Sequence, residues 1–415
     1  MTPEKRRVLD LAAAHVCPGR VRTFEALGID LVIGQREGYR FRDLDGRELL
    51  DCHLNGGVFN LGHRHPELVA VLRDALDELD VGNHHFPSRA RAELAAALAA
   101  SMPGDLPYVI FSPSGGEAID VAIKTARHAT RRRTVVSIRK GYHGHTGLAL
   151  AAGDERFSAM FLSEGPPGAF VHVPFNDLSA MESALAGRDV AAVLLETIPA
   201  TYGFPLPAPG YLAGVKRLCE RYGALYIADE VQTGLGRTGR LWGVECFDVE
   251  PDILVTGKGL SGGLYPMSAT ALSRRVAGWL DEDGWGHVST FGGAELGCPV
   301  AMRVLEITQR PETRANVAWA AAYLAEGLAR LQRSVPEWLV EVRQQGLVIG
   351  LRFADDRGGM AMSRACFEAG LWAMFAGFDM AVLQFKPGLL VDRSFCDEAL
   401  GRLEDGVRRC LARCG

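Results

Sequence analysis

One lysine stands among glycines in Ile253-Leu254-Val255-Thr256-Gly257-Lys258-Gly259, with Gly262 and Gly263 just beyond. The apolar run reads as a buried strand, so the chain delivers a single amine to a strand end among residues with no side chain to shield it. A lysine amine is protonated in water, with a pKa of about 10.4, but partial desolvation lowers that value and yields a neutral nucleophile. Another apolar run, residues 224–229, closes on Asp229 and is followed by Glu230, Val231 and Gln232. An acid closing a buried strand is costly unless it meets a cation. A metal is one such cation, but no His, Cys or further acid lies at ligand spacing there, and no metal is expected. Glu196 closes a third run, VAAVLLE. Residues 108–111 lead into Ser112-Pro113-Ser114-Gly115-Gly116-Glu117, a glycine-rich turn that opens a helix. Such a turn presents free N–H groups and a positive dipole end, which suits a phosphate. Gly141-Tyr142-His143-Gly144 places an aromatic ring and an imidazole where they could cover a flat ligand by stacking.

Taken singly, each feature has a plainer reading: a solvated loop lysine, an ordinary strand-to-helix turn, structural aromatic residues. Together, a phosphate cradle, an aromatic lid, a buried acid and a lone lysine fit pyridoxal 5′-phosphate. Lys258 would form the Schiff base, and Asp229 would keep the pyridine nitrogen protonated so that the ring draws electrons.

These groups need a sheet edge to bring them together. Residues 108–111, 134–138, 169–173, 190–196, 224–230 and 252–256 read as short apolar strands. Helical spacing appears at 64–80, at 88–101 with Ser88 as N-cap, and at 117–129, 177–186 and 209–223. Alternating strands and helices predict a mainly parallel sheet covered on both faces, with ligands at the C-terminal strand ends. The pattern changes near residue 300. Residues 339–353 read as two strands broken at Gly346, 361–375 and 396–414 as helices, and 381–385 as a strand. Residues 38–52 read as a hairpin turning at Asp45-Gly46. The expected organisation is an N-terminal segment (1–60) packing with the small domain or a partner subunit, a large domain (61–300) and a smaller α+β domain (301–415).

The 415 residues carry a net charge of −5, which argues against a nucleic-acid binder with a basic face. No apolar run approaches the roughly 20 residues of a membrane span, and the charged N-terminus lacks signal-peptide form. The nine cysteines, Cys17 to Cys414, are dispersed without a CxxC pair and read as reduced thiols. A cytoplasmic protein is expected. Gly234-Leu235-Gly236-Arg237-Thr238-Gly239 is formally a GxGxxG motif, but it follows no first strand and opens no helical pattern, which weighs against an NAD(P)-dependent oxidoreductase.

The chain resembles class III aminotransferases, fold-type-I enzymes that include the ornithine, 4-aminobutyrate and acetylornithine aminotransferases and glutamate-1-semialdehyde aminomutase. FRDLDGRELLDC, NLGHRHP (60–66), SGGEA (114–118), GYHG (141–144), ADEVQTGLGRTG (228–239), TGKGLSGG (256–263) and STFGG (289–293) carry the resemblance in order. It implies Lys258 as Schiff-base lysine and proton shuttle, Asp229 on the pyridinium nitrogen, and Gln232 near the ring hydroxyl. It further implies Tyr142 stacked on the ring, with His143 and Glu196 around it, and Ser114, Gly115 and Gly116 at the phosphate. Thr290 would complete that cradle from the neighbouring subunit of a homodimer with shared sites.

The sequence departs from the family where substrate would bind. Pro113 and Gly116 replace an Asn and a hydroxyl residue of the usual phosphate loop. Thr201 stands where a switch Glu is usual, and Gln384 where a carboxylate-binding Arg is usual. Both halves of that pair are missing together, so a substrate carboxylate would need another cation, with Lys386 and Arg393 as the alternatives, or a neutral amine would be used. Asn55, Thr201, Tyr202, Gln384 and Lys386 are the expected substrate-side residues. The resemblance implies ping-pong transfer of an amino group from a donor amine to a ketone or aldehyde acceptor, in specialised biosynthesis. A racemase, epimerase or aminomutase on the same scaffold is the alternative, with His143 or Tyr202 as the second acid/base. A non-catalytic cofactor binder is the remote one.

Overall fold

The computed structural model describes residues 1–187 and 189–414. Its largest sheet has seven strands in the order Tyr108–Ser112, Ser268–Leu272, Ile253–Thr256, Leu225–Asp229, Val190–Glu196, Thr134–Ile138 and Phe170–Val173. The last five run parallel to their neighbours, and Ser268–Leu272 pairs antiparallel on both sides. That strand was not expected from the sequence. Its residues Ser-Ala-Thr-Ala-Leu are small and weakly apolar, yet all five are buried. The three central parallel strands are buried at every position, as their unbroken apolar runs require.

The helices expected over 64–80, 88–101, 117–129, 177–186 and 209–223 form as Pro66–Leu76, Arg89–Ser101, Gly115–Thr130, Leu178–Leu185 and Tyr211–Tyr222. Ser88 occupies the N-cap position, but its hydroxyl makes no capping bond. The longest helices with weaker or unread signals are Pro3–His15, Pro18–Ala26, Gly297–Gln309 and Pro311–Ser334.

Residues 339–353 form the antiparallel pair Leu339–Gln345 and Val348–Phe353, which turns at Gly346 with φ +61°. Asp379–Phe385 and Met374–Ala376 extend that pair to four strands. The helix expected over 361–375 instead spans Gly358–Glu368 and stops at Gly370, where φ is +85°. The remainder turns into strands because Leu371–Trp372 pairs in parallel with Glu48–Asp51 of the N-terminal hairpin. Ile33–Glu37, Arg40–Asp43, Glu48–Asp51 and Leu371–Trp372 therefore make a third sheet. Tertiary pairing overrides the helical pattern there. The N-terminal helix is tied to this sheet by Lys5, whose buried ammonium meets Asp43 at 2.9 Å, Asp45 at 3.1 Å and Asp30 at 3.2 Å.

Six of the eight cysteines with described side chains are buried, and none of the eight is in a disulfide; Cys414 lies outside the described side chains. Among the described residues no helix is long and apolar enough to cross a membrane.

Candidate active site

Parallel pairing aligns the C-terminal strand ends. Glu196 is the register partner of Asp229, and Asp229 that of Val255, three residues before Lys258. Side chains on adjacent strands stand roughly 5 Å apart, so two carboxylates and an amine converge without further folding instructions. A cleft of about 160 Å³ opens at this edge. Its lining brings together Gly115, Gly116, Tyr142, His143, Glu196, Asp229, Gln232 and Lys258, eight of the residues singled out in the sequence.

Asp229 accepts hydrogen bonds from Nδ1 of His143 at 2.8 Å and from the Val231 N–H at 3.1 Å. The ring of His143 is buried, and its Nε2 has no partner among the described residues. Glu196 accepts from the N–H groups of Tyr142 at 2.9 Å and Ala200 at 3.1 Å. Burial pushes the Glu196 carboxyl up to about 7; His143 opposes that rise and Asp229 adds to it. Glu196 therefore keeps its proton to a higher pH than an ordinary carboxyl does. Burial also raises the Tyr142 phenol above its ordinary value, with Glu196 and Asp229 contributing.

Lys258 begins the short turn Lys258–Ser261 and has φ +40°. Burial pushes its amine below the ordinary lysine range, while Asp229 and Glu196 pull it back up. No ion pair or hydrogen bond engages its Nζ among the described residues. The glycines around it serve close approach. A Cβ on Gly257 would lie 2.5 Å from Oγ of Ser268, and one on Gly259 2.7 Å from Nδ2 of Asn60. The opposite wall comes from a left-handed turn at Leu54, Asn55, Gly56 and Gly57, all with positive φ. A Cβ on Gly56 would lie 2.8 Å from Cε of Lys258. The sequence reading missed this wall, although Asn55-Gly56-Gly57 is a left-handed-turn signal. It missed Ile198, Val231 and Thr233 of the cleft as well.

The helix Gly115–Thr130 points its N-terminus at the cleft, capped by the Ser114 hydroxyl accepting from the Glu117 N–H at 3.3 Å. Ser114 itself is exposed and lies outside the lining. A Cβ on Gly116 would sit 2.7 Å from Oγ1 of Thr146, and one on Gly144 2.7 Å from Cα of Gly116. A side chain at 116 would displace the 141–146 loop, which is a physical reason for glycine there. Bare N–H groups at a helix end, an acid braced by imidazole, a desolvated lysine and two orphaned polar atoms, Nε2 of His143 and Oε1 of Gln232, fit pyridoxal 5′-phosphate.

The substrate-side residues fall elsewhere. Gln384 and Lys386 are buried at the end of Asp379–Phe385, and Lys386 Nζ donates to Gln384 Oε1 at 2.6 Å. Thr201 packs on the 377–378 turn, its carbonyl accepting from the Phe378 N–H at 3.0 Å. The Tyr202 ring lies under Lys140 Nζ at 4.6 Å. Asn55 is exposed in the left-handed turn. Thr290 is exposed and outside the lining of its own chain's cleft. Arg393 is 74% exposed and faces Asp397 at 3.9 Å, so it is no buried cation. The formal GxGxxG is a series of turns; Arg237 within it is buried and donates to the carbonyls of Pro387 and Leu347 at 2.5 and 2.8 Å.

A family model, aminotransferase class III, matches residues 25–407. An uncharacterized aminotransferase of Archaeoglobus fulgidus is 49% identical over 393 residues, covering 95% of this chain and 92% of that protein. The ornithine aminotransferase of Toxoplasma gondii ME49 superposes with a TM-score of 0.87 at 27% identity, covering 99% and 96% of the two chains. A thermostable (S)-enantioselective omega-transaminase from Thermomicrobium roseum gives 0.87 at 26% identity, covering 98% and 99%.

Proposed function

The chain belongs to the class III aminotransferases, pyridoxal-phosphate enzymes of fold type I, and from that premise we propose how its residues carry the reaction. It acts on an amine donor and a carbonyl acceptor; our reading is that both use one cleft in a ping-pong sequence. The observation that carries this reading is the half-buried Lys258 amine at the strand edge, lowered by desolvation and facing Asp229 and Glu196 without an ion pair to either among the described residues.

Bound pyridoxal phosphate supplies the carbonyl that receives the amino group and the ring that withdraws electrons. The N–H groups of Gly115 and Gly116, with the helix dipole behind them, bind the phosphate. Asp229, fixed by His143 and the Val231 N–H, holds a proton on the ring nitrogen. Tyr142 would cover one face of the ring, and Gln232, whose Oε1 has no partner among the described residues, would reach the ring hydroxyl. Lys258, desolvated and so able to lose its proton, would take the proton from the donor's amine-bearing carbon and hand it to the cofactor carbon bonded to that nitrogen. Asp229 and His143 are buried and Lys258 and Tyr142 half-buried, which limits the access of bulk water.

A homodimer is part of the reading. Thr290 is exposed beside exposed Trp285, Val288 and Phe291, an apolar surface that a second copy would cover.

The test is optical. The protein as isolated, or after addition of pyridoxal phosphate, is expected to be yellow, and borohydride to fix the cofactor on Lys258. Amine donors are expected to bleach the colour and carbonyl acceptors to restore it. A protein that stays colourless with added cofactor overturns the reading. Solvent exchange of the substrate proton without bleaching would favour racemisation.

A further inference from the structure

The turns of residues 234–239 border a second cavity, of about 250 Å³, which shares no lining residue with the cleft. Gly236, Gly239 and Arg240 line it from one side, and Gln309, Thr313 and Arg314 from the other. Arg237, donating to the carbonyls of Leu347 and Pro387, fixes the turns against the C-terminal part of the chain. The cavity therefore lies where these turns meet the start of the helix Pro311–Ser334.

That helix presents Thr313 and Arg314 of its first turns to the cavity. A helix start carries N–H groups without intrahelical partners and the positive end of the dipole. Its N-cap residue, Arg310, makes no side-chain capping bond, because a guanidinium only donates, and its own donors go to Glu67. Thr313 is 3% exposed, and its hydroxyl makes no hydrogen bond among the described residues. A buried hydroxyl without a partner is costly, and a ligand that accepts from it removes that cost. Arg240 and Arg314 are exposed at the rim and form no ion pair among the described residues. Glu245 is the only carboxylate in the described lining, and its Oε2 accepts from the Trp242 N–H at 2.7 Å. Two positive charges thus face one negative charge that is already engaged.

Two guanidinium forks, a hydroxyl and an uncapped helix start offer donors from several directions. A planar carboxylate engages one fork, whereas the tetrahedral oxygens of a phosphoryl group accept from several sides. We propose that this cavity binds a phosphoryl anion, free or carried on a small metabolite, bridging Arg240 of the turns to Arg314 of the helix. Bound there, the anion ties the two elements together and stabilises the folded chain by mass action.

The test is isothermal titration of protein whose pyridoxal phosphate has been fixed on Lys258 by borohydride and whose excess cofactor has been removed. The fixed cofactor occupies the cleft, so its phosphate cradle does not compete. Inorganic phosphate, pyrophosphate and ATP are the probes, at constant ionic strength. One saturable site per chain is expected for at least one of them. Tighter binding of ATP than of inorganic phosphate places the phosphoryl group on a larger molecule, and the reverse order identifies free phosphate. Both orders support the site when binding depends on the two arginines. Arg240→Ala and Arg314→Ala are each expected to weaken binding by on the order of tenfold or more. Thr313→Val, which removes only the hydroxyl, is expected to weaken it by about fivefold. Arg7→Ala removes the same charge from an exposed position on the N-terminal helix and is expected to leave the affinity unchanged. Absence of saturable binding by all three probes overturns the proposal. So does binding that survives both arginine substitutions, or that Arg7→Ala weakens as much as they do.

Discussion

Lys5 and Lys386 are buried to nearly the same degree, 2% and 3% exposed, and live in opposite surroundings. At the N-terminal sheet, Lys5 meets three carboxylates within 3.2 Å. Burial alone would lower its pKa, but Asp43, Asp45 and Asp30 hold it above the ordinary value of 10.5. At the end of Asp379–Phe385, Lys386 has an amide and an aromatic face, and its pKa falls. Lys258 stands between the two cases: it is desolvated and lowered, yet Asp229 and Glu196 act on it. A cation matched within the chain serves the fold. A buried amine left unmatched gives up its proton more readily, and holding it charged costs the fold stability.

The largest effect should come from the lysine assigned to chemistry. Lys258→Ala is expected to slow the amine half-reaction by on the order of 10²–10⁴-fold or more. Borohydride should then no longer link cofactor to chain, as mass spectrometry would read. Covalent fixation at full yield in that variant would break the assignment.

The comparison itself is sharpened by a pair of stability measurements. Lys5 has a raised pKa, so its contribution to stability is complete below 10.5 and is lost as pH rises through its higher folded value. Lys386 has a lowered pKa, so its contribution is complete above 10.5 and is lost as pH falls toward its folded value. At neutral pH the first stabilises and the second costs. Lys5→Met should therefore destabilise the protein by about 3 kcal/mol. Lys386→Met should raise the unfolding midpoint of the cofactor-free protein at pH 7, and the gain should shrink as pH is raised toward 10.5. Denaturant unfolding at several pH values checks both, and a loss of stability in both variants would erase the distinction.

The smallest effect concerns the wall facing Lys258. Gly56→Ala introduces a Cβ 2.8 Å from Lys258 Cε at a residue with φ +75°. It should cost about 1 kcal/mol of stability. It should also shift the pH at which the cofactor absorbance changes, because the amine is displaced. A shift in stability without any spectral shift would show that the turn supports the fold alone.

The sequence by itself determined the large sheet's parallel strands, because their apolar runs have no soluble alternative. It also determined the residues at their C-terminal ends, because strand register carries Glu196, Asp229 and Lys258 to one edge. Local signals sufficed there. Where signals were weak or the partner was distant, they did not. Ser268–Leu272 is a strand because both its neighbours supply hydrogen bonds, and Leu371–Trp372 leaves a helical pattern to pair with Glu48–Asp51, some 320 residues away. The left-handed turn against Lys258 and the isolation of Lys386 were decided by the tertiary structure alone. A residue's charge is written in the sequence, but what stands within 4 Å of it is a property of packing. Three lysines of one chain thus became a structural clamp, the amine of the candidate site and a buried amine without a carboxylate partner among the described residues.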